Sequence, residues 1–122
     1  MRIFKNTWFT RFAKREKISD DALCKAIAEA ERGVVAADLG GHVIKQRVAR
    51  PGQGKSGGYR TIVIFQQNDK SFFVYGFAKS DRANIDKAEL EAFRQAAVHL
   101  LALDEEQLDK LLENGALTEV TR

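Results

Sequence analysis

Val43 to Arg82 reads VIKQRVARPGQGKSGGYRTIVIFQQNDKSFFVYGFAKSDR, and this stretch decides the fold. Tyr59 to Gln67 (YRTIVIFQQ) and Lys70 to Phe77 (KSFFVYGF) are rich in β-branched and aromatic residues. Asn68-Asp69 between them supplies a turn, so the pair is predicted to be a β-hairpin. Val43 to Ala49 is expected to add a third strand. Strand alternation puts Val43, Lys45 and Arg47 on one face and Ile44, Gln46 and Val48 on the other. Arg50 to Gly58, RPGQGKSGG, is a loop by composition.

Outward from this centre the chain is helical. Arg2 to Phe4 suits a short strand. Trp8, Phe9 and Phe12 fall at helical spacing, with Thr7 as candidate N-cap. Ser19 before Asp20-Asp21 marks the start of a second helix, with an apolar stripe of Leu23, Ile27 and Ala30 and Gly33 at its end. Downstream, Asp86 or a neighbour opens a long helix whose apolar side holds Leu90, Phe93, Ala97, Leu100 and Leu101, and His99 is expected inside it. Asp104 caps a further short helix, which Asn114-Gly115 stops. The expected fold is α+β: a small antiparallel sheet of three to four strands, with N-terminal helices and a C-terminal helix packed on it. A single domain over 1–122 is expected, with an acidic helical C-terminal extension at about 104–122.

The chain has 122 residues, 44% hydrophobic and 30% charged, which suits one globular domain. Cys24 is the one cysteine, so no intrachain disulfide forms and a reducing compartment is expected. No apolar run is long enough to span a bilayer, and the basic N-terminus lacks the apolar core of a signal peptide. The expectation is a cytoplasmic protein with no membrane partner.

Net charge is +3, but the charge is polarised. Arg2, Lys5, Arg11, Lys14, Arg15 and Lys17 stand against Glu16 alone in the first turns. Leu39 to Asn68 contains no acid, while it carries Lys45, Arg47, Arg50, Lys55 and Arg60. Asp104 to Glu119 is the reverse, with Lys110 as its one base. Lys45 and Arg47 share a face, and Arg60 and Lys79 lie on the strands expected beside them. Like charges on one face repel, so an anion is expected to compensate them. A polyanion such as RNA fits. An acidic partner protein, or the chain's own acidic tail, is the alternative.

GQGKSGG is not a nucleotide-triphosphate loop. The glycine required five positions before Gly54 is Ala49, and a strand follows where a helix is needed. Its glycines still permit close backbone approach to phosphate, with Lys55 and Arg60 adding charge. His42 and His99 are the only histidines, and no Cys/His set has metal-ligand spacing. No nucleophile triad is suggested either, and no metal or cofactor is expected.

The residues Lys45-Gln46-Arg47, the run Arg50-Pro51-Gly52-Gln53-Gly54-Lys55-Ser56-Gly57-Gly58-Tyr59-Arg60, the apolar hairpin, and Gly76-Phe77-Ala78-Lys79-Ser80-Asp81-Arg82 resemble the RelE/ParE superfamily of bacterial type II toxins, close to its HigB-like branch. The resemblance spans roughly residues 1–103. It implies a toxin that cleaves mRNA on the ribosome, by 2′-hydroxyl attack on the neighbouring phosphate and without a metal, and that a cognate antitoxin neutralises. By position it implies catalytic roles for Lys45, Arg47, Arg60 and Lys79, and RNA-binding roles for Arg50, Lys55, Tyr59 and Arg82. The chain departs from RelE at Ser80, where RelE has arginine, and in having no tyrosine after Tyr75. The general acid is left open: Lys79, Arg82 or Tyr59 does that work, or phosphate positioning suffices. Some superfamily members, ParE among them, poison gyrase, and a non-catalytic RNA-binding module is a third possibility.

Overall fold

The computed structural model describes residues 1–50 and 57–121. In chain order its elements are β1 (Arg2–Asn6), α1 (Thr7–Glu16), α2 (Asp20–Glu31), β2 (Ala37–Asp38), β3 (Val43–Val48), β4 (Tyr59–Phe65), β5 (Lys70–Ala78), α3 (Lys87–Leu101), α4 (Glu105–Glu113) and β6 (Leu117–Glu119). The expected hairpin is β4–β5, and β3 pairs antiparallel with β4 on its far side.

The sheet is larger than three to four strands and is not wholly antiparallel. Among the described residues it has six strands in the order β2-β3-β4-β5-β1-β6. β1 runs parallel to β5, and β6 returns antiparallel on β1. The strands outside β3–β5 are short; β1 was expected from Arg2 to Phe4, and β1 and β6 come from the two ends of the chain. Their partners are set by long-range closure, which local alternation does not encode.

Both faces of the sheet are covered. Phe9, Phe12, Leu23 and Ile27 of α1 and α2 pack on Ile44, Val48, Tyr59, Val63 and Phe73. Ala97 and Leu108 of α3 and α4 pack on Phe4, Val43, Ile62, Ile64 and Phe72 of the opposite face. Local chemistry sets the helix starts. Ser19 Oγ accepts from Ala22 N at 3.1 Å. Asp86 and Asp104 each form a reciprocal capping box, with Glu89 and Gln107. Asn6, rather than Thr7, caps α1: its side-chain oxygen accepts from Phe9 N at 2.8 Å. Thr7 instead donates its hydroxyl to the Ala116 carbonyl. Gly33 and Gly115 follow α2 and α4 at φ +82° and +81°, which glycine adopts without a Cβ clash. His99 is exposed on α3 rather than held in the apolar side.

The acidic segment after Leu103 folds as α4 and then as strand β6. Three of its acids answer one residue, Arg2. That guanidinium pairs with Glu105, with Glu119 at 2.8 Å and with Asp109 at 3.8 Å. The Glu119 carboxyl is thereby held below its ordinary range, chiefly by its hydrogen bond with Arg2 and against the opposing effect of burial.

A register shift interrupts the β4–β5 ladder: Ile62 pairs with Tyr75, but Val63 pairs with Phe73. Val74 is the extra residue, a β-bulge. It reverses the phase of β5. Phe73 faces α1 and α2, whereas Val74 and Tyr75 both face the side of α3 and α4. Beyond the bulge, Gly76 lies beneath the Phe12 ring and Ala78 joins the α1–α2 core. Asn6 holds the bulge, its Nδ2 donating to the Val74 carbonyl at 3.1 Å.

Candidate anion site on the sheet

The strands build the site in two cross-strand rows. One row is Arg47 on β3, Arg60 on β4 and Phe77 on β5; the next is Lys45, Ile62 and Tyr75. Alternation on β3 and β4, and the phase reversal on β5, point all six toward the α3–α4 side. Arg47 is exposed and Lys45 half-buried, while Ile62 is fully buried and forms an apolar floor between Lys45 and Tyr75.

Arg60 is the unusual member. Its relative exposure is 9%, and its buried Nη1 has no hydrogen-bond partner among the described residues. Burial first, and then repulsion by Arg47, push its pKa down. Like charges directly opposite on paired strands destabilise the pair. A buried polar group left unpaired costs roughly 1–3 kcal/mol, and more when charged. A bound anion would offset the repulsion between Arg47 and Arg60. In the acidic tail, Glu105, Asp109 and Glu119 are engaged by Arg2 and Glu106 by Lys110.

Arg82 closes one side of the group. Its guanidinium lies 5.7 Å from the Tyr75 ring centre and 5.6 Å from that of Phe77. Nη1 donates to Tyr75 Oη at 2.9 Å and to Glu89 at 3.0 Å, Nη2 donates to Glu89 at 2.6 Å, and Nε donates to the Asn84 carbonyl. These bonds raise the Arg82 pKa and lower that of Glu89. Arg82 is therefore already committed to a carboxylate, and it also donates to the Tyr75 hydroxyl. Lys79 lies one residue beyond β5 and is exposed.

The other expected residues fall elsewhere. Tyr59 is 1% exposed and lies in the α1–α2 core, on the opposite sheet face. Its hydroxyl donates to Glu16 at 3.0 Å, and burial followed by that contact raises its pKa. Arg50 sits with it, 5.6 Å from the Tyr59 ring centre. Neither joins Arg47 and Arg60. Lys55 lies outside the described residues.

Tyr75 and its aromatic surround are the part that sequence reading missed. Trp8 lies 4.5 Å from the Tyr75 ring centre, Phe93 5.9 Å and Phe77 6.1 Å. Before the bulge is known, alternation places Tyr75 with Phe73 on the wrong face. The one available signal was Gly76 inside a strong strand pattern, since an isolated strand glycine marks a bulge or a close approach. Here it admits the Phe12 ring, which a Cβ would meet at 2.7 Å.

A mixed sheet layered by two helix pairs, with Arg47 paired to Arg60 across one face, defines a small α+β domain. The family model described as the RelE toxin of the RelE/RelB toxin–antitoxin system matches residues 1–120, and the chain belongs to that family of toxins. No curated protein and no solved structure matches the chain. No helix among the described residues is long and apolar enough to cross a membrane.

Proposed function

We propose that this toxin is a ribosome-dependent mRNA endonuclease, and that the end of the sheet carrying Lys45, Arg47 and Arg60 binds the scissile phosphate. The observation that carries this reading is the buried, unpaired Arg60 Nη1 facing Arg47 across the ladder. Two guanidinium groups set opposite each other, with no carboxylate partner among the described residues, suit a phosphate whose charge grows during reaction. Attack by the message's own 2′-oxygen on the adjacent phosphorus forms a five-coordinate centre. Arg60 and Arg47 stabilise its equatorial oxygens, and Lys45 adds a point charge from the next row. Protein donors fixed before substrate arrives need little reorganisation at that moment. Lys79 extends the positive surface toward flanking phosphates. A cognate antitoxin, the partner that the family implies, would neutralise the toxin by covering or remodelling this surface.

The test is expression without an antitoxin, followed by incorporation of labelled amino acid and by DNA topology. Loss of translation with message cuts mapped inside reading frames, and with supercoiling intact, is expected. Relaxed or broken DNA with normal protein synthesis would move the assignment to a gyrase poison. Message binding without cuts would leave only an RNA-binding module.

A further inference from the structure

Tyr75 occupies a position that the phosphate-binding role of the arginines leaves unexplained. It shares a cross-strand row with Lys45 through Ile62. With neighbouring strands about 4.8 Å apart, Lys45 and Tyr75 flank the Ile62 floor at about 10 Å between backbones. Arg60 is diagonal to Tyr75, a relationship of about 7–8 Å that long and aromatic side chains bridge. A phosphate held by Arg60 would therefore lie between a cation on one side and a phenol on the other.

The surroundings of that phenol are specific. Arg82 Nη1 donates to the Tyr75 oxygen, so the phenol's own hydrogen is not spent on that bond. When the hydrogen is given away, negative charge develops on an oxygen already bonded to a cation, the arrangement that electrostatic catalysis requires. Arg82 is itself fixed by Glu89 and the Asn84 carbonyl, and Trp8, Phe77 and Phe93 hold the ring. The competing hydroxyls are occupied on the opposite face: Tyr59 by Glu16, and Thr61 by the Gln46 carbonyl.

We propose that Tyr75 is the general acid of this site, giving its phenolic proton to the 5′-oxygen that leaves the scissile phosphate, with Arg82 as its positioning residue. This rests on the nuclease reading above. The 2′-oxygen forms a bond to phosphorus and releases its proton to water. The bond from phosphorus to the 5′-oxygen breaks, and that oxygen takes the Tyr75 proton. The products are a 2′,3′-cyclic phosphate and a 5′-hydroxyl, and Tyr75 regains a proton from water.

The experiment is single-turnover cleavage of a ribosome-bound message by wild type and Tyr75→Phe. Two messages are compared, one ordinary and one with sulfur replacing the 5′-bridging oxygen at the mapped cut. Sulfur departs as a thiolate and needs no proton. On the ordinary message Tyr75→Phe should be slower by roughly 10²–10⁴, the usual contribution of a positioned acid. On the sulfur message it should match wild type, which also shows that the variant is folded. An equal loss on both messages would make Tyr75 merely structural, and no loss on the ordinary message would remove it from the reaction. If wild type cuts neither message, the nuclease reading falls first and the acid with it.

Discussion

The Asn6 side chain spans from the first turn of α1 to the carbonyl of Val74: its oxygen accepts from Phe9 N while its nitrogen donates to the bulge of β5. One amide thus joins the start of a helix to the irregularity that turns Tyr75 onto the basic face. Asn6→Asp separates the two roles, because aspartate caps a helix as well as asparagine but has no donor when ionised. Losing the donor should cost about 1 kcal/mol. Message cleavage should fall by more than that stability change explains, since Tyr75 is re-aimed. Thermal melts beside single-turnover rates make the comparison. A wild-type rate in a melted-down variant would show that the bulge needs no clamp.

Arg60 should trade stability for function. Arg60→Met replaces a desolvated, unpaired cation with an apolar chain of similar length. Removing a desolvated, unpaired charge removes its burial cost, so its melting temperature should equal or exceed wild type. Its cleavage rate should fall by about 10²–10³, the typical effect of losing one preorganised donor, with a smaller loss of message binding. Arg60→Lys should recover part of the rate, because charge returns without the two-pronged geometry. Arg60→Met melting well below wild type would mean that the guanidinium has a stabilising partner. Wild-type cleavage by a folded Arg60→Ala variant would reduce Arg60 to a bystander.

Gly58 admits no side chain. A Cβ there would lie 2.2 Å from the Val48 carbonyl oxygen and 3.1 Å from Ala49 Cα and Arg50 N, all backbone. Overpacking typically costs about 1–3 kcal/mol, and this contact has no flexible side chain to yield. Gly58→Ala should therefore destabilise more than Gly76→Ala, whose obstacle is the Phe12 ring. Urea midpoints of the two variants, measured side by side, settle the order. A Gly58→Ala midpoint equal to wild type would mean that the close approach of β3 and β4 here is not maintained.

Acid should loosen the bond between the two chain ends. The Glu119 carboxyl has a folded pKa below its ordinary 4.5, because Arg2 stabilises the ionised form. A depressed carboxyl contributes stability that is present above its unfolded value and is lost as pH falls through its folded value. Melting temperature should therefore drop below about pH 4.5 more steeply in wild type than in Glu119→Gln, while near neutrality the variant is the less stable. Parallel pH curves for the two proteins would show that this ion pair adds nothing to β6 pairing.

Much of the molecule is local chemistry and was legible as such. Ser19, Asp86 and Asp104 cap helices because a short oxygen-bearing side chain reaches amides two or three residues ahead. Lys45 and Arg47 share a face of β3 because alternation has a period of two, and Arg60 was expected on the neighbouring strand, while the pairing of Arg47 with Arg60 is set by the register of the folded sheet. The tertiary structure decided the rest. Whether an acid neutralises the arginines depended on Arg2 capturing Glu105 and Glu119, residues at the far end of the chain. Tyr59 and Tyr75 look alike in sequence, each in a strong strand with basic residues nearby, yet one is buried against Glu16 and the other lies on the α3–α4 side of the sheet, bonded to Arg82. The difference is the bulge at Val74. Alternation is a property of one strand, but a bulge exists only between two strands and here is held by Asn6 from a third. That relationship forms only when the chain closes on itself, which is why the residues of β5 alone do not reveal which side Tyr75 will serve.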